Sequence, residues 1–159
     1  MIRPMLCEEL IELGVDVSNA GDAISLLTKG LLKVGYVHDT FCQAVLEREE
    51  SFPTGLPTSL YGVAIPHTDP EHVLHTGMAV GILQNPVEFR VMGSSDQIVN
   101  VEVILLLAIQ QPDQHIHILT KLMELFQTEE TLQQLKNTSS KKDVLTILQQ
   151  QLPASIFQS

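Results

Sequence analysis

Six histidines, at positions 38, 67, 72, 75, 115 and 117, are the residues of this 159-residue chain best suited to do chemistry. Imidazole is substantially neutral and nucleophilic near pH 7, so it can take up a group and release it again. His67 has the most telling context, because it follows Leu60-Tyr61-Gly62-Val63-Ala64-Ile65-Pro66. That run reads as a buried strand. It would deliver the histidine to a proline-stiffened turn at the strand's C-terminal end, where open α/β sheets place their ligands. From the residues alone, His67 reads as a chemical group or as an ordinary polar turn residue. The string HTDPEHVLH offers a further possibility, with His67, His72, His75, Asp69 and Glu71 as metal ligands or as a solvated loop. His115 and His117 fall in the first turns of a helix, two residues apart, and so point to different faces. Each reads as an anion contact at the helix N-terminus or as an exposed polar residue. Arg48 ends another helix. It reads as a solvated partner of Glu47 or Glu49, or as a fork for a phosphoryl group.

The elements that position these residues follow from hydrophobic periodicity. Residues 5–13 form a short opening element. A helix over about 20–34 carries Ala23, Ile24, Leu27, Leu31 and Leu32 at helical spacing, with Gly35 to stop it. A second, over about 39–49, has Asp39 as its N-cap and Phe41, Cys42, Val45 and Leu46 as its apolar stripe. Residues 52–60, with two prolines and a glycine, form a loop. Strands are expected at 60–65, 77–83 and 87–91, the last at an edge after Pro86. The nearly continuous β-branched and aliphatic run at 98–109 marks a central strand buried on both faces. Pro112 opens a helix to about residue 127, a short helix follows at 128–136, and a last one starts at Ser140, which has capping-box spacing to Asp143. The pattern predicts a single-domain α/β sandwich over 1–159, one mixed β-sheet flanked by helices on both faces.

Composition narrows the function. Nine Lys and Arg stand against 19 Asp and Glu, a formal net charge of −10, which disfavours nucleic acid. Two cysteines make no disulfide framework, and no apolar run is long enough to span a bilayer. The opening residues do not read as a signal peptide, and a cytoplasmic protein is expected. Phosphate-loop, dinucleotide, HExxH and GxSxG motifs are missing, so no cofactor and no metal is expected.

YGVAIPHTD resembles the active-site segment of enzyme IIA proteins of the bacterial phosphoenolpyruvate:sugar phosphotransferase system, mannitol/fructose class. AVLEREESFPTGL is similar to that family's helix ending in an arginine-glutamate pair and then a proline-threonine loop. DQHIHILTKLMELF is similar to its second-histidine helix, and KGLLKVGYVHDTFCQAVLERE to the helices before the site. The resemblance spans essentially the whole chain, and its loop residues stand nearest the galactitol branch. Many members have glycine where this chain has Thr68. The resemblance implies a phosphotransferase in which His67 accepts a phosphoryl group from the histidine phosphocarrier HPr. It would pass the group to a cysteine of a cognate IIB, which serves a membrane IIC. The resemblance also implies that His115 contacts the phosphoryl group or orients His67, and that Arg48 stands beside the site. An alternative is the nitrogen-regulatory type, a phosphorylation-dependent binding module. Such a relay requires an accessible His67, expected in an exposed depression rimmed by Phe52, Leu56 and Ile116, with Asp69, Glu71 and Glu49 placed to attract a basic carrier.

Overall fold

The apolar run at 98–109 becomes strand β5 (Ile98–Ala108), and Val103 to Ala108 are all 0% exposed. Six consecutive buried residues require cover on both faces of the sheet. The computed structural model describes residues 4–153, so the ends of the expected 1–159 domain lie outside the described residues. Around β5 lie β1 (Ile11–Val15), β2 (Gly55–Leu56), β3 (Gly62–Ala64) and β4 (Gly77–Arg90), in the order β1-β4-β5-β3-β2. The sheet is mixed: β1 runs parallel to β4 and β3 parallel to β5, while β4–β5 and β2–β3 are antiparallel.

Helix α1 (Ala20–Lys33) lays Leu27 and Leu31 against Gly81 and Gly77 of β4. Asn19 caps it by accepting from the Asp22 N–H at 2.8 Å. Helices α2 (Phe41–Ser51), α3 (Pro112–Leu125), α4 (Glu129–Asn137) and α5 (Lys141–Gln151) complete the layers. Phe41, Val45, Ile118, Leu122, Leu132, Leu135, Val144 and Leu148 carry them into the same buried cluster as the sheet. Ser140 caps α5 through the Asp143 N–H, as its spacing predicts.

Four local expectations need correction. The opening element is a 3-10 turn, Glu8–Leu10, followed by the edge strand β1. The strands expected at 77–83 and 87–91 are one, β4, with an irregular register between Ile82 and Val87. Pro86 lies inside that irregularity, where its missing N–H breaks no regular ladder. The 52–60 loop contains the short strand β2. Finally, α2 is preceded by Thr40 rather than by Asp39, with no side-chain cap. The Thr40 hydroxyl is instead 2.8 Å from His72 Nδ1.

Candidate functional site

His67 emerges from β3 beside the C-terminal half of β5. The Leu107 N–H donates to Pro66 C=O at 2.9 Å, so the ladder between the two chain segments continues past the end of β3 and pins the turn. Gly62 permits this close seating, since a Cβ there would meet the Asn100 carbonyl oxygen at 2.5 Å. The imidazole then folds back on its own strand, with Nδ1 2.8 Å from the carbonyl oxygen of Ile65. A carbonyl only accepts, so Nδ1 carries the hydrogen and Nε2 holds the lone pair.

The exposed histidine that the sequence predicts is not found: His67 is 8% exposed. The pinned turn and the Nδ1 hydrogen bond draw the ring against the end of the sheet, and His115 covers another side. Among the described residues Nε2 has no hydrogen-bond partner, so its lone pair is not engaged within the fold. Burial pushes the His67 pKa down from 6.5 to about 4. The Ile65 hydrogen bond opposes that shift, the charges of His115 and Arg48 add to it, and Asp69 partly offsets them. At neutral pH the ring is uncharged, with its lone pair on Nε2.

His115, in the second turn of α3, meets His67 edge to face, with ring centroids 4.7 Å apart and planes at 80°. Its pKa is also lowered, by burial first and then by Arg48. Arg48, in the last turn of α2, pairs with Asp69 rather than with Glu47 or Glu49, at 3.8 Å. Its guanidinium carbon lies 5.0 Å from the centre of the Phe52 ring. Arg48, Phe52, Thr68, Asp69 and His72 help to line an open recess of about 280 Å³. A partly exposed guanidinium beside two uncharged imidazoles suits transient binding of an oxyanion, which would compete with Asp69 for Arg48.

Of the other histidines, His72 shares the Arg48 recess, while none of the four meets the His67–His115 ring pair. His72 is bonded to Thr40, His75 stacks edge-on against Tyr36, and His38 and His117 are exposed. No group of three or more His, Cys, Asp or Glu that could hold a metal occurs among the described residues. Of the three expected rim residues, Phe52, 62% exposed, lines the recess; Ile116 is 75% exposed but does not line it, and half-buried Leu56 lines a different cleft with Met123 and Phe126. Glu49 is not a rim residue. Its carboxylate turns inward and accepts from both the N–H and the hydroxyl of Thr54, each at 2.8 Å. Sequence reasoning missed Thr54 and Arg90, which bind this segment. The signal was the spacing from Glu49 to a threonine inside the Pro-Thr-Gly turn.

Residues 4–151 match the family model described as phosphoenolpyruvate-dependent sugar phosphotransferase system, EIIA 2. The galactitol-specific EIIA component of Escherichia coli K12 is 28% identical over 106 residues, covering 67% of this chain and 70% of that protein. The mannitol-specific EIICBA component of the same strain is 33% identical over 143 residues, 88% of this chain and 21% of that protein. The solved complex of Escherichia coli enzyme IIAMtl with phosphorylated IIBMtl superposes with a TM-score of 0.75 at 30% identity. The match covers 91% of this chain and 97% of that one.

Proposed function

The chain belongs to the EIIA type 2 family of the phosphoenolpyruvate-dependent sugar phosphotransferase system, and on that premise we propose that it carries phosphoryl groups on Nε2 of His67. The supporting observation is the commitment of Nδ1 to the Ile65 carbonyl, which leaves an unengaged lone pair at the other ring nitrogen. In the loading step the Nε2 lone pair attacks the phosphorus of a phosphohistidine on HPr. The donor N–P bond breaks and its electron pair returns to the donor imidazole. In the unloading step a cysteine thiolate of a cognate IIB attacks the same phosphorus. The Nε2–P bond breaks and His67 regains its lone pair. Neither step needs a metal or a nucleotide.

His115 and Arg48 serve the phosphoryl oxygens in this reading. Arg48 offers the fork of its partly exposed guanidinium, and His115 a ring edge beside the acceptor. Uncharged His67 is ready to attack without first losing a proton. Phe52 and Ile116 exclude water when a partner docks, which strengthens both contacts. We place the protein in the cytoplasm, as one domain over 1–159 that supplies a membrane IIC through IIB. No helix among the described residues is long and apolar enough to cross a membrane. A galactitol-like polyol is the proposed cargo, on the strength of the loop residues and the galactitol-specific relative.

The test is a labelled-phosphate relay with phosphoenolpyruvate, enzyme I, HPr and a panel of IIB proteins. Acid-labile label on the wild type, its loss in His67→Ala and transfer to a galactitol-type IIB support the proposal. Equal labelling of His67→Ala overturns it, and preferred transfer to a mannitol IIB overturns the choice of cargo.

A further inference from the structure

Glu49 lies one residue from Arg48 and points away from the recess, yet a chain of contacts joins it to both Arg48 and His67. Its carboxylate clamps Thr54 through two hydrogen bonds of 2.8 Å, and Thr54 is 3% exposed. The Thr54 carbonyl accepts from the Ile65 N–H at 3.4 Å. The Ile65 carbonyl, in turn, is the group that accepts from His67 Nδ1. On the other side, the Arg48 carbonyl accepts from the Phe52 N–H at 2.7 Å. Arg90 of β4 donates from Nη2 to the carbonyls of Glu49 and Glu50, tying the end of α2 to the sheet. The clamp therefore stands between the helix end that holds Arg48 and the strand end that holds His67.

We infer that Glu49 is a positioning residue for phosphoryl transfer, fixing Arg48 and the His67 imidazole in one geometry through Thr54. This rests on the reading of His67 as the phosphoryl acceptor. A carboxylate is a costly choice for a purely structural link at this place, because burial pushes its pKa up to about 6 despite both Thr54 bonds and Arg90. Glu50, Glu88 and Arg90 are the charged groups that share its cleft, and two of the three are acidic. What the carboxylate supplies is two acceptor atoms in one plane, which a glutamine lacks. Small displacements of reacting groups are expensive in rate, so a clamp of this kind acts on the transfer step rather than on partner docking.

The experiment compares Glu49→Gln, Thr54→Val, their double variant and Thr54→Ser. The first readout is the ¹⁵N spectrum of the His67 ring without phosphate; the second is single-turnover and steady-state transfer from phospho-HPr. The wild-type ring is expected to give a protonated Nδ1 and an unprotonated Nε2. Glu49→Gln and Thr54→Val should each move those signals toward a mixture of tautomers. Each should lower kcat on the order of tenfold and leave KM for phospho-HPr within about twofold. The double variant should be no slower than the slower single one, and Thr54→Ser should restore wild-type behaviour. A wild-type ring spectrum and wild-type kcat in Thr54→Val overturn the inference. So does a loss of rate that only follows the fraction unfolded. If wild-type His67 takes up no label, the acceptor reading fails, and the ring spectra still decide whether the clamp reaches the imidazole.

Discussion

A buried imidazole kept uncharged has consequences for stability as well as for chemistry. In the unfolded chain His67 takes a proton near pH 6.5, and in the folded protein near pH 4. Between those values the unfolded state binds more protons. The stability that neutral His67 contributes is therefore complete above pH 6.5 and is lost as pH falls toward 4, by roughly 3 kcal/mol. Glu49 acts in the opposite sense. Its pKa is raised from 4.5 to about 6, so its contribution is present below 4.5 and is lost as pH rises through 6. Denaturant melts of wild type and His67→Gln between pH 4 and 7.5 isolate the first effect, since Glu49 is common to both. The variant is expected to lose less stability on acidification; parallel curves would show that the ring is not held neutral by the fold. Arg48→Lys keeps the charge and gives up the Nε–H and the fork. Transfer should fall on the order of 10- to 100-fold with an unchanged melting temperature, and a wild-type rate would remove Arg48 from the site. His115→Ala should slow transfer more than His117→Ala, because the first ring touches His67 while the second is exposed.

At the scale of elements, the site depends on how closely β3 lies on β5. A methyl group at Gly62 would meet the Asn100 carbonyl oxygen and Val99 Cγ2 at 2.5 and 2.6 Å, backbone and a β-branched side chain that cannot turn aside. Gly62→Ala is expected to cost about 1–3 kcal/mol and to shift the His67 ring signals, read by urea midpoint and ¹⁵N spectrum. Unchanged values would mean that β3 tolerates displacement. The elements whose apolar pattern is strong were legible: the β5 run, the α1 stripe, the Pro112 start of α3 and the Ser140 cap. The two sheet edges were not. β1 carries Glu12 between its apolar ends, and β2 is two residues inside a proline-rich turn. Neither has the alternation by which a strand announces itself. The single strand β4 was divided because Pro86 reads as a breaker, and whether a proline falls at a register irregularity depends on the partner strand. In the candidate site, the family resemblance singled out His67, His115 and Arg48, which the fold brings together, whereas the Glu49 clamp was not legible. A glutamate beside an arginine at a helix end reads as solvated, and only the return of the loop brings Thr54 beneath it.

Across the whole molecule the charge is one-sided, at −10, while the cations nearest the site are few. Self-repulsion of this size weakens the folded state at low ionic strength. Raising salt from 10 to 150 mM should therefore raise the melting temperature by about 2–5 °C; a fall would mean that ion pairs such as Lys136–Glu102, at 3.1 Å, outweigh the net repulsion. The same field repels a phosphoryl group from most of the surface, so under the proposed function Arg48 beside His67 must offset it locally. The most direct measurement is to load the ¹⁵N-histidine-labelled protein through phosphoenolpyruvate, enzyme I and HPr, and to record the nitrogen–phosphorus coupling. A phosphorus bonded to Nε2 of His67, with Nδ1 still protonated, is the predicted result. Phosphorus on Nδ1, on another histidine, or on none would contradict the account.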